Sequence, residues 1–214
     1  MTEHNYEQMR HAMVVSQLRT TGVSDARVVS AMGEVQRERF VPADKACIAY
    51  ADMALPIGNG RALNPPMVTG RLLTEAQVVP GDHALVVGAA MGYTVAVLEK
   101  LGATVVAVEE DADLLAAGNK AVPGATWVKG PLHAGSKKGA PYSLIVLDGA
   151  VEQIPQGLVA QLSDGGRLAG AVIEDGVSRL VLGVRVGSGF GTKAFADADT
   201  AMLPGFAKPA VFSF

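Results

Sequence analysis

Gly88 and Gly92 flank a run of small residues, Ala89-Ala90-Met91, and Glu109 follows 21 positions after the first glycine. Glycines spaced in this way let a backbone approach a ligand closely, because no Cβ stands in between and positive φ is freely adopted. A carboxylate about twenty residues further on can accept both hydroxyls of an adenosine ribose. The chemistry suggested is the holding of an adenosine cofactor. A dinucleotide loop wants glycine at 88, 90 and 93 and finds it once; the S-adenosylmethionine pattern wants it at 88, 90 and 92 and finds it twice. That favours S-adenosylmethionine over NAD, although small residues here also serve the packing of a helix on a strand.

Three other polar residues stand out. Asp148 closes the apolar run "LIVL" and suits either a functional carboxylate or a turn before Gly149. Arg61 offers a forked grip on a carboxylate, or a solvent-facing loop cation. Asn64, ahead of Pro65-Pro66, has the makings of a helix N-cap with Pro65 at the first helical position.

These residues need a frame. Apolar runs at 83–88 and 104–109 read as strands, with a helix over 92–101 between them and another over 111–120. Short strands are expected near 125–129 and 143–148, a helix over 153–162, and a fifth strand, "GGRLAGAVI", after a Gly165-Gly166 turn. Continuous Val, Leu and Ile in strands separated by helices imply a parallel sheet covered on both faces. Ahead of it lie a helix over 5–20, a second from a Ser24 or Asp25 cap through Met32, and a turn-rich stretch to residue 63. The stretch from "SRLVLGVRVG" to "KPAVFSF" alternates apolar and polar residues, as antiparallel edge strands do. The expected architecture is an α/β three-layer sandwich, mostly parallel and twisted, with N-terminal helices and antiparallel C-terminal edge strands. It is read as one domain over 1–214: N-terminal helices and a loop (1–79), a cofactor-binding core (80–175) and C-terminal strands (176–214).

Of the 214 residues, 49% are hydrophobic and 18% charged, which excludes a disordered chain. A net charge of −3 argues against a nucleic-acid surface. One cysteine, Cys47, excludes an internal disulfide framework and a Cys-rich metal site, and a lone thiol fits a cytoplasmic setting. The N-terminus has no apolar core of the secretory kind, and no run is long enough to span a bilayer.

The blocks "MVVSQLRTTGVSDARVVSAMGEVQRERFVP", "AYADMALPIGNGRALNPP", "GAAMGYTVAVLEKLGATVVAVEEDADL" and "PQGLVAQLSDGGRLAG" together resemble the protein-L-isoaspartate O-methyltransferases, in the same order. The likeness falls off after about Val172. It implies the Rossmann-like fold of S-adenosylmethionine-dependent methyltransferases, and methyl transfer from S-adenosylmethionine, leaving S-adenosylhomocysteine, to the α-carboxylate of L-isoaspartyl residues in damaged proteins or peptides, with no metal. A carboxylate is already ionised at neutral pH, so alignment with the sulfonium does most of the work. By resemblance the cofactor set is Gly88, Ala89, Ala90, Gly92, Tyr93, Glu109, Glu110, Gly130 and Asp148. The substrate side is Tyr50, Asp52 and Arg61, with Asn64 in the catalytic loop.

The sequence also departs from the family pattern. The loop usually reading G-Q-T-I-S-Q-P is Gly60-Arg61-Ala62-Leu63-Asn64-Pro65-Pro66, so Asn64 stands at the serine position. Ala89-Ala90-Met91 replaces T-G-S; the methyl of Ala90 is tolerated at negative φ and crowds the ligand otherwise. Pro131 replaces the acid of a G-D-G turn, with His133 nearby as a substitute or a solvated loop residue. Two alternatives stay open beside the isoaspartyl enzyme: a non-catalytic binding or scaffold module of the same fold, and a methyltransferase for another acceptor.

Overall fold

The computed structural model of the chain describes residues 5–208. Helix α1 (Tyr6–Met13) starts at Asn5, whose side chain accepts from the Gln8 N–H, and continues through a π-helical turn to Leu18. Asp25, not Ser24, caps α2 (Ala26–Glu34) by accepting from the Arg27 N–H. The turn-rich stretch resolves into 3₁₀ turns and a small antiparallel hairpin, β1 (Leu55–Gly58) and β2 (Arg61–Leu63), followed by α3 (Pro66–Glu75).

From residue 83 the expected alternation holds. It runs β3 (His83–Val87), α4 (Tyr93–Lys100), β4 (Thr104–Glu109), α5 (Ala112–Ala121), β5 (Thr126–Lys129) and β6 (Tyr142–Val151). After a single helical turn, α6 (Gln156–Val159), come β7 (Leu162–Glu174), β8 (Val177–Val186) and β9 (Gly189–Asp197). The sheet order is β5-β4-β3-β6-β7-β8-β9, parallel from β5 to β7 and antiparallel at β8 and β9. Successive residues of β3 serve opposite layers: Ala84 and Val86 join the cluster under α2, α3 and α4, and Leu85 and Val87 join the one under α6. Strands buried on both faces read as unbroken apolar runs for this reason.

Three expectations change. The helix over 153–162 is only α6, because Pro155 starts it late and Gly157 lies inside it. Gly165-Gly166 does not precede the fifth strand but forms a bulge within β7. The register there jumps from Tyr142↔Leu162 to Leu144↔Arg167, and a Cβ on Gly166 would lie 3.0 Å from the Tyr142 carbonyl oxygen. Antiparallel edge strands are present as β8 and β9, but residues 198–208 form no strand and make only one isolated bridge, Met202 to Ala150, which is parallel; residues 209–214 of that expectation lie outside the described residues.

Trp127, on β5, packs its ring over Gly118 of α5 and beside Gly92, with its indole N–H donating to the Val122 carbonyl (3.0 Å). A Cβ at Gly118 would stand 2.2 Å from Trp127 Cη2, and the ring cannot retreat without losing that hydrogen bond. Gly118→Ala therefore destabilises by about 1–3 kcal/mol from overpacking, which exceeds the roughly 1 kcal/mol that alanine gains in a helix. Thermal unfolding checks this, and a variant more stable than the parent would contradict it.

Candidate cofactor and substrate site

The strand order reverses between β3 and β6, which places a ligand crevice outside their carboxyl ends. The loop leaving β3 has positive φ at Gly88 (+76°), Ala90 (+50°) and Gly92 (+96°), and Gly92 caps α4. Ala90 thus does not meet the condition of negative φ under which its methyl is harmless, and a left-handed alanine costs about 1–2 kcal/mol. What holds it there is visible. Its N–H donates to Glu109 Oε2 (2.8 Å), while the Ala89 N–H donates to the Val108 carbonyl (3.1 Å).

Glu109 ends β4 with 0% of its surface exposed. Its Oε1 accepts from Arg61 Nη1 (2.7 Å) and from the N–H groups of Glu110 (3.0 Å) and Asp111 (3.1 Å). Arg61 also donates through Nη2 to the Gly88 carbonyl (2.9 Å) and is only 5% exposed. It is therefore not a solvent-facing loop arginine: the hairpin β1–β2 lays it across the loop and onto the acid. A distance of 48 positions leaves no spacing signal for this pair; the one cue was the departure from glutamine at position 61.

Asn64 does not cap α3. The helix begins at Pro66 with Pro65 in the cap position, and the buried Asn64 side chain turns inward, its Nδ2 donating to Asp148 Oδ1 (2.8 Å). Its carbonyl is held by Arg37, which accounts for the inward turn. The Asn64 Oδ1 is buried without a partner. Burial pushes the Asp148 carboxyl above the usual carboxylate range, opposed only in part by the Thr94 hydroxyl and the Asn64 amide. A raised carboxylate pKa means the folded state holds a proton that the unfolded chain has released. Stability is then fullest at low pH and falls as pH rises from the ordinary aspartate value toward the folded one. Asp148→Asn removes that fall, so urea midpoints of variant and parent diverge in the variant's favour between pH 4 and neutrality. Parallel curves would show that Asp148 does not titrate in this way.

The remaining candidates spread out. Tyr93 is buried between the Arg37 guanidinium, 4.6 Å from its ring centroid, and the edge of Phe40. The Tyr50 hydroxyl donates to Glu38 and accepts from Arg10 Nη1 (3.1 Å), and burial raises its pKa strongly. Asp52 is exposed, with Oδ1 accepting from the Met67 N–H (3.4 Å). The Gly130 N–H donates to the Glu109 carbonyl (3.2 Å), and Pro131 opens a 3₁₀ turn over Leu132–Ala134 that carries His133. The structure brings together Arg61, Gly88, Ala90 and Glu109 in one group and Asn64 with Asp148 in a second; buried Tyr50 and exposed Asp52 join neither.

Sequence reasoning missed the segment after β9. Its Ala201 carbonyl accepts from the Ala150 N–H (2.8 Å), its Leu203 N–H donates to the Ala150 carbonyl (2.8 Å), and Met202 forms a parallel bridge with Ala150. Since β7 lies on the other side of β6, the segment runs alongside the end of β6 where β3 has stopped. Leu203, 3% exposed, packs on the Gly88 and Gly149 backbones, and Phe206 is buried in the same apolar layer as Leu132 and Leu158. A cavity of about 380 Å³ remains outside it, lined by Asn59, Arg61, Glu110, Asp111 and Pro204.

A family model, Protein-L-isoaspartate(D-aspartate) O-methyltransferase, matches residues 9–189. A protein-L-isoaspartate O-methyltransferase of Methylorubrum populi is 39% identical over 163 residues, covering 74% of this chain and 77% of its own. One from Methanoculleus marisnigri is 37% identical, covering 76% of each. Among solved structures, a Plasmodium falciparum protein assigned to the same enzyme, in complex with S-adenosyl-L-homocysteine, superposes with a TM-score of 0.78 at 19% identity. It covers 94% of this chain and 99% of its own. That likeness shows the shared methyltransferase fold.

Proposed function

We propose, for a chain that belongs to the protein-L-isoaspartate O-methyltransferase family, that it methylates the α-carboxylate of L-isoaspartyl residues in proteins and peptides with S-adenosylmethionine as donor. The observation that carries the reading is the β3–loop–α4–β4 unit at the strand reversal, with Gly88, Gly92 and Glu109 in place, inside a chain matched over residues 9–189. The two sequence relatives above are both named protein-L-isoaspartate O-methyltransferase, and neither favours a non-catalytic module or another acceptor. We assign cofactor contacts to Gly88, Ala89, Ala90, Gly92, Tyr93, Glu109, Glu110, Gly130 and Asp148. Asn64, Arg61, Tyr50 and Asp52 are assigned to the substrate side. The reading includes a single domain over 1–214 and a cytoplasmic setting; among the described residues no helix is long and apolar enough to cross a membrane.

In the arrangement described, the residues do not fit the cofactor. Both Glu109 oxygens are engaged by protein donors, and the glycine surfaces a ligand would need are covered by Leu203 and Arg61. A Cβ on Gly88 would lie 2.7 Å from Leu203 Cδ2 and 3.0 Å from Arg61 Nη2.

The test is incubation with methyl-labelled S-adenosylmethionine and a matched pair of peptides, one isoaspartyl and one aspartyl. Label is expected in the isoaspartyl peptide alone. No transfer at high enzyme concentration, or equal transfer to both, would sink the reading.

A further inference from the structure

We propose that the segment Ala201–Phe206 is an internal occupant of the cofactor cleft, competing with S-adenosylmethionine for it; this rests on the functional reading above. The segment covers the backbone and apolar side of the place where the ligand would lie. Ala150, at the end of β6 beyond the last β3 pairing at Val87↔Leu147, has its N–H and carbonyl taken by Ala201 and Leu203. Gly88 and Gly149 lack a Cβ where Leu203 lies: one on Gly149 would sit 2.7 Å from the Ala201 carbonyl oxygen and 2.8 Å from the Leu203 side chain. Leu203 and Phe206 lie on the apolar surface beside Leu132 and Leu158, the type of wall that receives a planar ring. On the polar side, Arg61 supplies to Glu109 the donors that ligand hydroxyls would supply.

The occupant comes from outside the residues that match the family, which end at 189. Its hold is light. Among the described residues, one parallel bridge made of two backbone hydrogen bonds fixes it, with two buried apolar side chains, so it can leave without disturbing the β3–β6 ladder. The apparent affinity for a ligand falls by the fraction of molecules whose cleft is open, so the segment sets the cofactor concentration at which the enzyme works.

Two measurements test this on the full-length chain. In calorimetric titration with S-adenosylhomocysteine, the double variant Leu203→Gly/Phe206→Gly is expected to bind about tenfold tighter or more than the parent. In the parent itself, amide hydrogen exchange at Leu203 and Ala150 is expected to be slow without ligand and to accelerate when S-adenosylhomocysteine is saturating. Affinities within twofold of each other, or Leu203 and Ala150 amides that stay protected at saturation, overturn the proposal. If isoaspartyl transfer is then intact, the functional reading stands without it. Tighter binding by the variant with no isoaspartate-dependent transfer has the opposite meaning: the cleft occupant is supported and the acceptor assignment falls. Absence of binding to either protein overturns both.

Discussion

Replacing Arg61 with alanine lowers the unfolding free energy by about 3 kcal/mol, read as a drop in the urea midpoint at unchanged slope. The Arg61–Glu109 pair is 2.7 Å apart with side-chain exposures of 5% and 0%, so the variant leaves a carboxylate sealed from water with its cation gone. Losing one member of a buried pair costs about 3–5 kcal/mol. The low end applies because the N–H groups of Ala90, Glu110 and Asp111 still point at the acid. The same variant drops the bond to the Gly88 carbonyl, one of the contacts that hold the left-handed loop. Removing both charges, as Arg61→Met with Glu109→Gln, recovers only part of the loss: the orphaned charge is gone, but the glutamine has one accepting oxygen where the carboxylate had two, so its NH2 meets a backbone N–H. A single variant within about 0.5 kcal/mol of the parent would mean that water reaches Glu109 in solution.

Arg37→Ala is expected to cost about 3–5 kcal/mol, the range of a large buried side chain with polar partners. Arg37 is 0% exposed and, among the described residues, has no carboxylate in hydrogen-bond contact. Its Nε donates to the Ala49 carbonyl (2.6 Å), its Nη2 to the Asn64 carbonyl, and its face lies on Tyr93. Burial lowers its pKa, offset in part by Tyr93 and Asp148. The variant leaves two buried carbonyls without donors and a void beside Tyr93. Lysine, with one ammonium in place of a fork, reaches only one of the two carbonyls and recovers only part of the stability. Because the Asn64 carbonyl is one of the two, the Asn64–Asp148 hydrogen bond loosens as well, visible as faster exchange of the Asn64 side-chain amide protons. A loss below about 1 kcal/mol, with that exchange unchanged, would remove Arg37 as the residue that orients Asn64.

The strands and glycine loop were legible because their causes are local. Continuous Val-Leu-Ile runs can only be strands covered on two faces, and Gly88 and Gly92 mark positive φ in the chain itself. Asn64 misled for the same reason: an asparagine before two prolines satisfies the local rule for a cap, and a partner 84 positions away, Asp148, outcompetes that rule. The grip of Arg61 on a carboxylate was legible as one of two options, but its partners were not, and Leu203 was not legible at all. Each acts by reaching a backbone far off in sequence, and neither periodicity nor spacing records such a reach. The left-handed Ala90 lies between these cases. Its strain could be posed as a question from sequence, but its answer needed the Glu109 carboxylate waiting for its N–H.

Trp127 is the chain's only tryptophan, and its ring edge stands 3.2–3.3 Å from where a Cβ of Gly92 would be, at the foot of the loop that enters the cleft. The protein therefore carries its own fluorophore at the site in question. Any rearrangement of the 88–92 loop changes the packing and wetting of one indole, with no second emitter of its kind to dilute the signal. Opening of the cleft can be followed in unlabelled protein, on the millisecond scale, by stopped-flow emission alone.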